Sequence, residues 1–146
     1  MKLIFMVLLA VLFLPGCSRS GGNARTGNDG TITLGERLFV NQIVQILMEP
    51  DAFLGQTIRY EGLFRTLFWT STGQYHDVVI RLKVCCDPDG EPIGFEVRMG
   101  DRERFAENTW VEVTGVLKAD YSFGRRAILL DVVNIQERQF GNALVR

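Results

Sequence analysis

Two adjacent cysteines, followed directly by an acidic turn, are the side chains of this sequence best suited to chemistry. Cys85 and Cys86 precede Asp87, and the only histidine, His76, lies shortly upstream. Thiolate, imidazole and carboxylate groups together suit Zn²⁺ or a softer ion such as Cu(I). These four residues are therefore predicted as a zinc or copper site, on condition that a bulge or turn brings both thiols to one side.

The same residues have less specific interpretations. Neighbouring side chains of a regular strand point to opposite faces, and no CxxC or HxxxH spacing is present. Cys85 and Cys86 are thus also compatible with a redox-active pair or with buried structural cysteines. His76 is compatible with a catalytic role or with an exposed place in a hairpin. The acidic turn begins like a calcium loop, but the distal glutamate of an EF-hand is missing, which favours a solvated turn.

A third cysteine, Cys17, ends an N-terminal apolar segment. Met1-Lys2 precedes a run of twelve apolar residues, which fits the core of a secretory signal and is short for a membrane-spanning helix of about 20 residues. The run ends in LPGC, which resembles the bacterial lipobox, where the cysteine thiol takes diacylglycerol. We expect residues 1–16 to be removed as a signal peptide and Cys17 to carry the lipid.

Residues 17–30 are predicted to form the lipidated cysteine and a flexible tether. The segment is polar and glycine-rich, and it lacks the apolar periodicity that would let it bury surface. A lipid-held tether outside the cytosol implies a lipoprotein at the cell membrane, on its periplasmic or outer face. The membrane itself is then one predicted partner, contacted through the N-terminal lipid.

Charge and composition argue against two functional classes. The 16 basic and 17 acidic residues give a net charge of −1, so the clustered basic excess that usually accompanies nucleic-acid binding is missing. A single histidine without a recognisable nucleophile-and-base motif makes a triad hydrolase hard to build. We therefore expect neither nucleic-acid binding nor an enzyme.

The remaining chain reads as one domain over residues 31–138, followed by a polar tail over 139–146. A short strand is predicted at residues 31–34, and Asn41 is predicted to cap a helix whose buried stripe includes Val44 and Leu47. Pro50 ends that helix or opens a second turn. One helical turn with Phe105 packed inward is predicted within residues 100–108. Alternating apolar residues predict five further strands, at 56–68, 78–86, 93–99, 109–117 and 127–135.

Five strands after a helix are typical of a small closed sheet. Gly62 and Gly115 lie inside two of the strands, where glycine often marks a tight bend, whereas a β-sandwich needs about seven strands. The sequence therefore predicts a mainly β fold, a small OB-like five-stranded barrel preceded by a short α-helix. Its aromatic residues either form stacking platforms or fill the barrel core and mouth: Tyr60, Phe64, Phe68, Trp69, Tyr121 and Phe123.

Three segments resemble the soluble C-terminal domain of the bacterial YcgQ-like family. Residues 53–62 (FLGQTIRYEG) resemble its helix exit and first strand. Residues 81–94 (RLKVCCDPDGEPIG) resemble its most distinctive run, a strand ending in Cys-Cys, then an acidic turn and Pro-x-Gly. Residues 108–115 (NTWVEVTG) resemble its tryptophan-containing strand.

The resemblance implies a function at a membrane. The family is described as a subunit of a two-component membrane permease complex, usually with N-terminal transmembrane helices, which a lipid signal replaces in this chain. The resemblance thus implies an accessory or partner-binding subunit of a permease or envelope system, with an integral membrane protein as its partner. Apart from the possible zinc or copper, we expect no cofactor. The alternative function is metal handling, with zinc or copper bound by the Cys85-Cys86 pair.

Overall fold

The computed structural model describes residues 25–27, 29–84 and 90–145, and in them the protein is mainly β. One α-helix and eight strands lie in these ranges. They are α1 (Phe39–Met48), β1 (Arg25–Thr26), β2 (Ile32–Thr33), β3 (Thr57–Trp69), β4 (Gln74–Lys83), β5 (Glu91–Arg98), β6 (Trp110–Asp120), β7 (Ala127–Glu137) and β8 (Leu144–Val145). The five long strands, β3 to β7, lie close to the five that alternation predicts.

The five long strands pair with one another in a closed ring of hydrogen bonds. Strand β3 pairs with β6, β6 with β7, β7 with β5, β5 with β4, and β4 with β3 again. The β5–β7 pairing is parallel, and the other four are antiparallel. The β3–β4 turn follows the end of β3, whereas the last part of β6 lies opposite the beginning of β3. The β6–β7 loop nevertheless contacts the turn, because Arg125 donates a hydrogen bond to Ser71.

The three short strands extend the ring at its rim. Strand β2 pairs in parallel with the beginning of β3, and β1 pairs with β2. Strand β8 pairs in parallel with β4 at Leu82 and Lys83. The structure therefore adds β1, from the segment predicted as a tether, and β8, from the segment predicted as a polar tail, to the sheet.

The main core lies between α1 and the inner face of the ring. Ile58, Tyr60 and Phe64 of β3 are buried there, as the period-two pattern predicts. Phe39 of α1 packs on Tyr60, with ring centroids 5.5 Å apart. The Tyr60 hydroxyl donates to the carbonyl of Val79 at 2.6 Å and accepts the N–H of Phe95 at 3.2 Å. This side chain thus ties α1, β3, β4 and β5 together.

The helix differs from its prediction in start and in face. It begins at Phe39, directly after a 3-10 turn, so Asn41 lies within it and is not its cap. Val44 and Leu47 are exposed, because the buried stripe is set by Phe39 and continues through Val40, Ile43 and Ile46. As predicted, a proline, Pro50, opens a second 3-10 turn.

Interior glycines mark places where strands approach closely or bend. A Cβ on Gly62 would lie 2.7 Å from the carbonyl oxygen of Ile80. The pairing of β6 with β7 changes register between Thr114 and Gly115, which is a β-bulge. A Cβ on Gly94 of β5 would lie 2.1 Å from the carbonyl oxygen of Val79, closer than at either predicted glycine.

Two further predictions are corrected by the structure. Residues 100–108 contain turns and no helix, although Phe105 does pack inward, 5.9 Å from the ring of Phe64. The second long strand begins at Gln74, earlier than predicted, because its first residues continue the pairing with β3 down to the turn at 70–73.

Candidate functional site

An open cleft of about 730 Å³ lies where β4 and β5 meet the segment 100–104 and the β6–β7 loop. Most of its charged and aromatic lining comes from a few positions: His76 and Asp77 of β4, Glu96 and Arg98 of β5, and Asp120 and Phe123. A volume of this size is within the range of small-molecule and peptide sites. The cleft is therefore the candidate functional site in the described part of the chain.

His76 is the buried centre of one cleft wall. It is 7% exposed, so its interpretation as an exposed hairpin residue is wrong. Its Nδ1 lies 2.8 Å from Oε1 of Glu96, and its Nε2 lies 2.8 Å from Oγ1 of Thr72. Both ring nitrogens are satisfied, as burial of a polar ring requires.

Aromatic rings from the end of β3 and from the β6–β7 loop hold the imidazole in place. Trp69 stacks on His76 with centroids 4.4 Å apart, and Phe123 contacts it edge-on at 5.7 Å. Arg125 of the β6–β7 loop donates from Nη2 to Oγ of Ser71 in the β3–β4 turn at 2.9 Å. These contacts join the two loops beside the cleft.

Ion pairs neutralise most charges that line the cleft. Asp77 is buried; it accepts a hydrogen bond from the Thr66 hydroxyl at 2.9 Å and one from Nε of Arg104 at 2.7 Å. Arg98 pairs with Asp120. Hydrogen bonds from Ser122, together with Arg98, hold the pKa of the Asp120 carboxyl below its ordinary value. The cleft thus offers many hydrogen-bonding groups, most of their charges already paired.

The predicted aromatic platforms divide between core and surface. Tyr60 and Phe64 belong to the core, whereas Tyr121 and Phe123 are exposed on the β6–β7 loop. Tyr75, at 72% exposure, lines the cleft, and its ring packs against Phe68 of β3 at 5.2 Å. Exposed aromatic rings are thus present at the rim of the cleft.

The predicted metal site is only partly within the described residues. Cys85, Cys86 and Asp87 lie outside them, as does the predicted lipid site, Cys17. In residues 25–27, 29–84 and 90–145, no group of three His, Cys, Asp or Glu side chains is placed to hold a metal ion. His76 is hydrogen-bonded to Glu96 and Thr72. The zinc or copper site remains a prediction.

No pattern in the sequence marks Glu96 and Thr72 as partners of His76, or Arg104 as the partner of Asp77. Glu96 lies twenty positions from His76, and only the β4–β5 register, which places it opposite Val78, brings the two together. Arg104 reaches Asp77 from a segment without regular structure. The His76–Glu96 contact could have been predicted only from a correct pairing of β4 with β5.

Comparison with known proteins identifies a family. A family model described as the DUF1980 C-terminal domain matches residues 20–140, which is more than half of the chain and includes all five long strands. No curated protein sequence matches the chain. Among the described residues, no helix has the length and apolar character needed to span a membrane.

Proposed function

The chain belongs to the DUF1980 C-terminal domain family, the YcgQ-like family, and on that premise we propose that it is an OB-like module for binding a partner protein. A lipid on Cys17 holds it at the extracytoplasmic side of a membrane. There it serves as an accessory subunit of a permease or of another envelope system. The fold, the cleft and the lipobox-like sequence each support one part of this proposal.

Strand order supports the OB-like assignment. OB folds are five-stranded Greek-key barrels that bind ligands on the face of their second and third strands and with the loops after the first and fourth. Numbered from β3, the second and third strands of the ring are β4 and β5. The corresponding loops are residues 70–73 and 121–126.

The position of the cleft is the observation that carries the binding role. Its walls come from β4 and β5, through residues such as His76 and Glu96, and Phe123 of the second loop completes it. Strand pairing and the cleft are independent observations, and both point to one surface. That surface is the one that OB folds use for binding.

The residue types around the cleft favour a protein partner. Arginines 98 and 104 line the cleft, and Tyr75 and Phe123 stand exposed at its rim. Arginine and aromatic residues are enriched in protein–protein interfaces and dominate their binding energy. Most acidic side chains of the cleft are paired with these arginines. The cleft therefore offers a partner many hydrogen-bonding groups and little net charge.

Site-specific photo-crosslinking tests the partner-binding role. A photoreactive phenylalanine analogue at position 75, on the rim, is compared with the same analogue at position 140, where Phe140 is also exposed but lies beside Trp110. In intact cells, position 75 should crosslink to one integral membrane protein and position 140 should not. Equal crosslinking from both positions, or none from position 75, contradicts the proposal.

The lipid anchor is tested separately through Cys17. We expect Cys17→Ser to abolish labelling by a radioactive fatty acid and to release the protein from the membrane fraction. Ser18→Ala, at the next residue, is the matched control and should remain lipidated and membrane-bound. An unchanged distribution of the Cys17→Ser protein contradicts lipid anchoring without affecting the assignment of the cleft.

A further inference from the structure

Thr72, His76 and Glu96 form a continuous hydrogen-bonded array at the edge of the cleft. When the ring proton is on Nδ1 and is donated to Glu96 Oε1 at 2.8 Å, Nε2 is an acceptor for the Thr72 hydroxyl, also at 2.8 Å. This is the arrangement of nucleophile, base and orienting acid in a catalytic triad, which is recognised by geometry and not by sequence order. The chain therefore contains a triad-like array that its sequence shows no motif for.

The hydrogen bonds around Thr72 favour donation of its hydroxyl proton to His76. The other acceptor within reach is the carbonyl of Trp69, at 3.2 Å, which is longer than the 2.8 Å to Nε2. That carbonyl already accepts the backbone N–H groups of Thr72 at 3.1 Å and of Gly73 at 2.8 Å. The hydroxyl is thus free to donate to the imidazole, as an activated nucleophile must.

The surroundings hold the imidazole and the turn that carries Thr72 in place. Trp69 and Phe123 confine the imidazole between their rings, which limits its rotation. Arg125 donates a hydrogen bond to the hydroxyl of Ser71, the residue before Thr72, and so ties the turn that carries Thr72 to the β6–β7 loop.

We propose that Thr72 is the nucleophile of an acyl-transfer site that hydrolyses small carboxylic esters. The Thr72 oxygen forms a bond to the ester carbonyl carbon while its proton passes to His76 Nε2, and the carbonyl electron pair moves onto oxygen. Collapse of this intermediate breaks the carbon–oxygen bond to the alcohol, which leaves with the proton from His76. Thr72 then carries the acyl group as an ester.

Water completes the reaction in the second half. A water molecule attacks the acyl-Thr72 ester and passes a proton to His76, and Thr72 leaves with that proton. The carboxylic acid is released, so the net change is ester plus water to acid plus alcohol. Thr72 and His76 act on the reacting atoms, whereas Glu96 is a positioning residue that orients the imidazole.

The test is hydrolysis of p-nitrophenyl acetate by the full chain with all three cysteines replaced by serine, because thiolates attack the same ester. Thr72→Ala should lower the rate at least about 100-fold, the lower range for loss of such catalysis, and Thr72→Ser should retain activity. Thr70→Ala, at an exposed position of the same turn, is the matched control. Peptide mass spectrometry of the acylated protein should place the acetyl group on Thr72.

Glu96→Gln distinguishes catalysis from a structural role of the array. As a positioning variant it should lower kcat with little change in KM, whereas loss of a merely structural contact would leave ester turnover unchanged. Hydrolysis that is equally fast in wild type and Thr72→Ala overturns the proposal, and so does an acetyl group that maps to another residue. The activity of Thr72→Ser keeps the result interpretable if Thr72→Ala does not fold.

Discussion

Tyr60 is the residue on which the core depends most directly. Its hydroxyl is fully enclosed, and burial raises its pKa well above the ordinary value of a tyrosine. The bonds to the Val79 carbonyl and the Phe95 N–H join β4 to β5 from inside the ring. The Val79 carbonyl and the Phe95 N–H thus bond to the Tyr60 hydroxyl and not to each other. Without this hydroxyl, both backbone groups would be buried without partners.

Removal of this hydroxyl should destabilise the protein. We expect Tyr60→Phe to lower the free energy of unfolding by about 2 kcal/mol, because it leaves a buried carbonyl and a buried N–H unsatisfied. Urea denaturation followed by tryptophan fluorescence measures the change. Tyr75→Phe is the matched control, since Tyr75 is exposed, and it should have little effect. Equal stability of both variants would contradict the role assigned to Tyr60.

The burial of some residues could be predicted from the sequence, and the burial of others could not. Alternation correctly placed Ile58, Tyr60 and Phe64 in the core, because burial on one face of a strand follows from spacing. Arg81 is also buried, with its guanidinium over the rings of Phe39 and Trp110 at 4.7 and 5.2 Å. A charged residue in an alternating strand is ordinarily exposed, and only the tertiary position of α1 and β6 explains this one.

At the scale of elements, β5 and β4 approach each other more closely at Gly94 than strands do at any other described glycine. Gly94 lies opposite Ile80, and a Cβ there would lie 2.1 Å from the Val79 carbonyl oxygen and 2.9 Å from the Cα of Ile80. Neither contact is with a flexible side-chain end, so relief requires that the two strands move apart. The hydroxyl bridge of Tyr60 lies at the same place.

Gly94→Ala should therefore be strongly destabilising. We expect a loss of about 3 kcal/mol or more in unfolding free energy, at the upper end of the cost of overpacking, or failure to fold. Gly35→Ala is the control, because a Cβ at Gly35 has nothing within 4 Å; its unfolding free energy should stay within about 0.5 kcal/mol of wild type. A thermal melt of Gly94→Ala that coincides with wild type would contradict the close approach.

Elements with strong local patterns could be predicted, and those set by contacts could not. The long strands and the turn at 70–73 follow from alternation and turn residues. Strands β1, β2 and β8 have two residues each, and β1 and β8 form because a neighbouring strand offers free backbone groups. At the candidate site, His76, Trp69 and Phe123 were singled out from the sequence. Glu96 becomes a partner of His76 only through the β4–β5 register, and Thr72 through the shape of the turn that precedes β4.

At the scale of the molecule, paired carboxylates make stability depend on pH. Burial raises the pKa of Glu112, but hydrogen bonds from Gln136 and Arg138 outweigh it and hold the pKa below its ordinary 4.5. The hydrogen bond from Lys118 similarly lowers the pKa of Asp131 below 3.8. A carboxyl whose pKa is lower in the folded state stabilises the fold above its unfolded pKa and loses that contribution as pH falls through the folded value.

These groups should accordingly leave the free energy of unfolding nearly constant from pH 7 to pH 5. At pH values below about 4.5, the free energy of unfolding should decrease. Urea titrations at successive pH values measure this decline. We expect Glu112→Gln to reduce the acid-dependent part by less than about 1 kcal/mol, since the pair is partly exposed. Glu103→Gln, at an exposed position, should leave the decline unchanged. Stability that increases on acidification would contradict the assignment.

Strand β3 connects two separate parts of the protein. Strand β2 lies beside Ile58 and Arg59, and the turn next to the cleft follows Trp69, ten residues further along β3. At roughly 3.3 Å per residue, these points are at most about 33 Å apart. A single ligand that touched both ends of β3 would therefore need to reach across up to about 33 Å of protein surface.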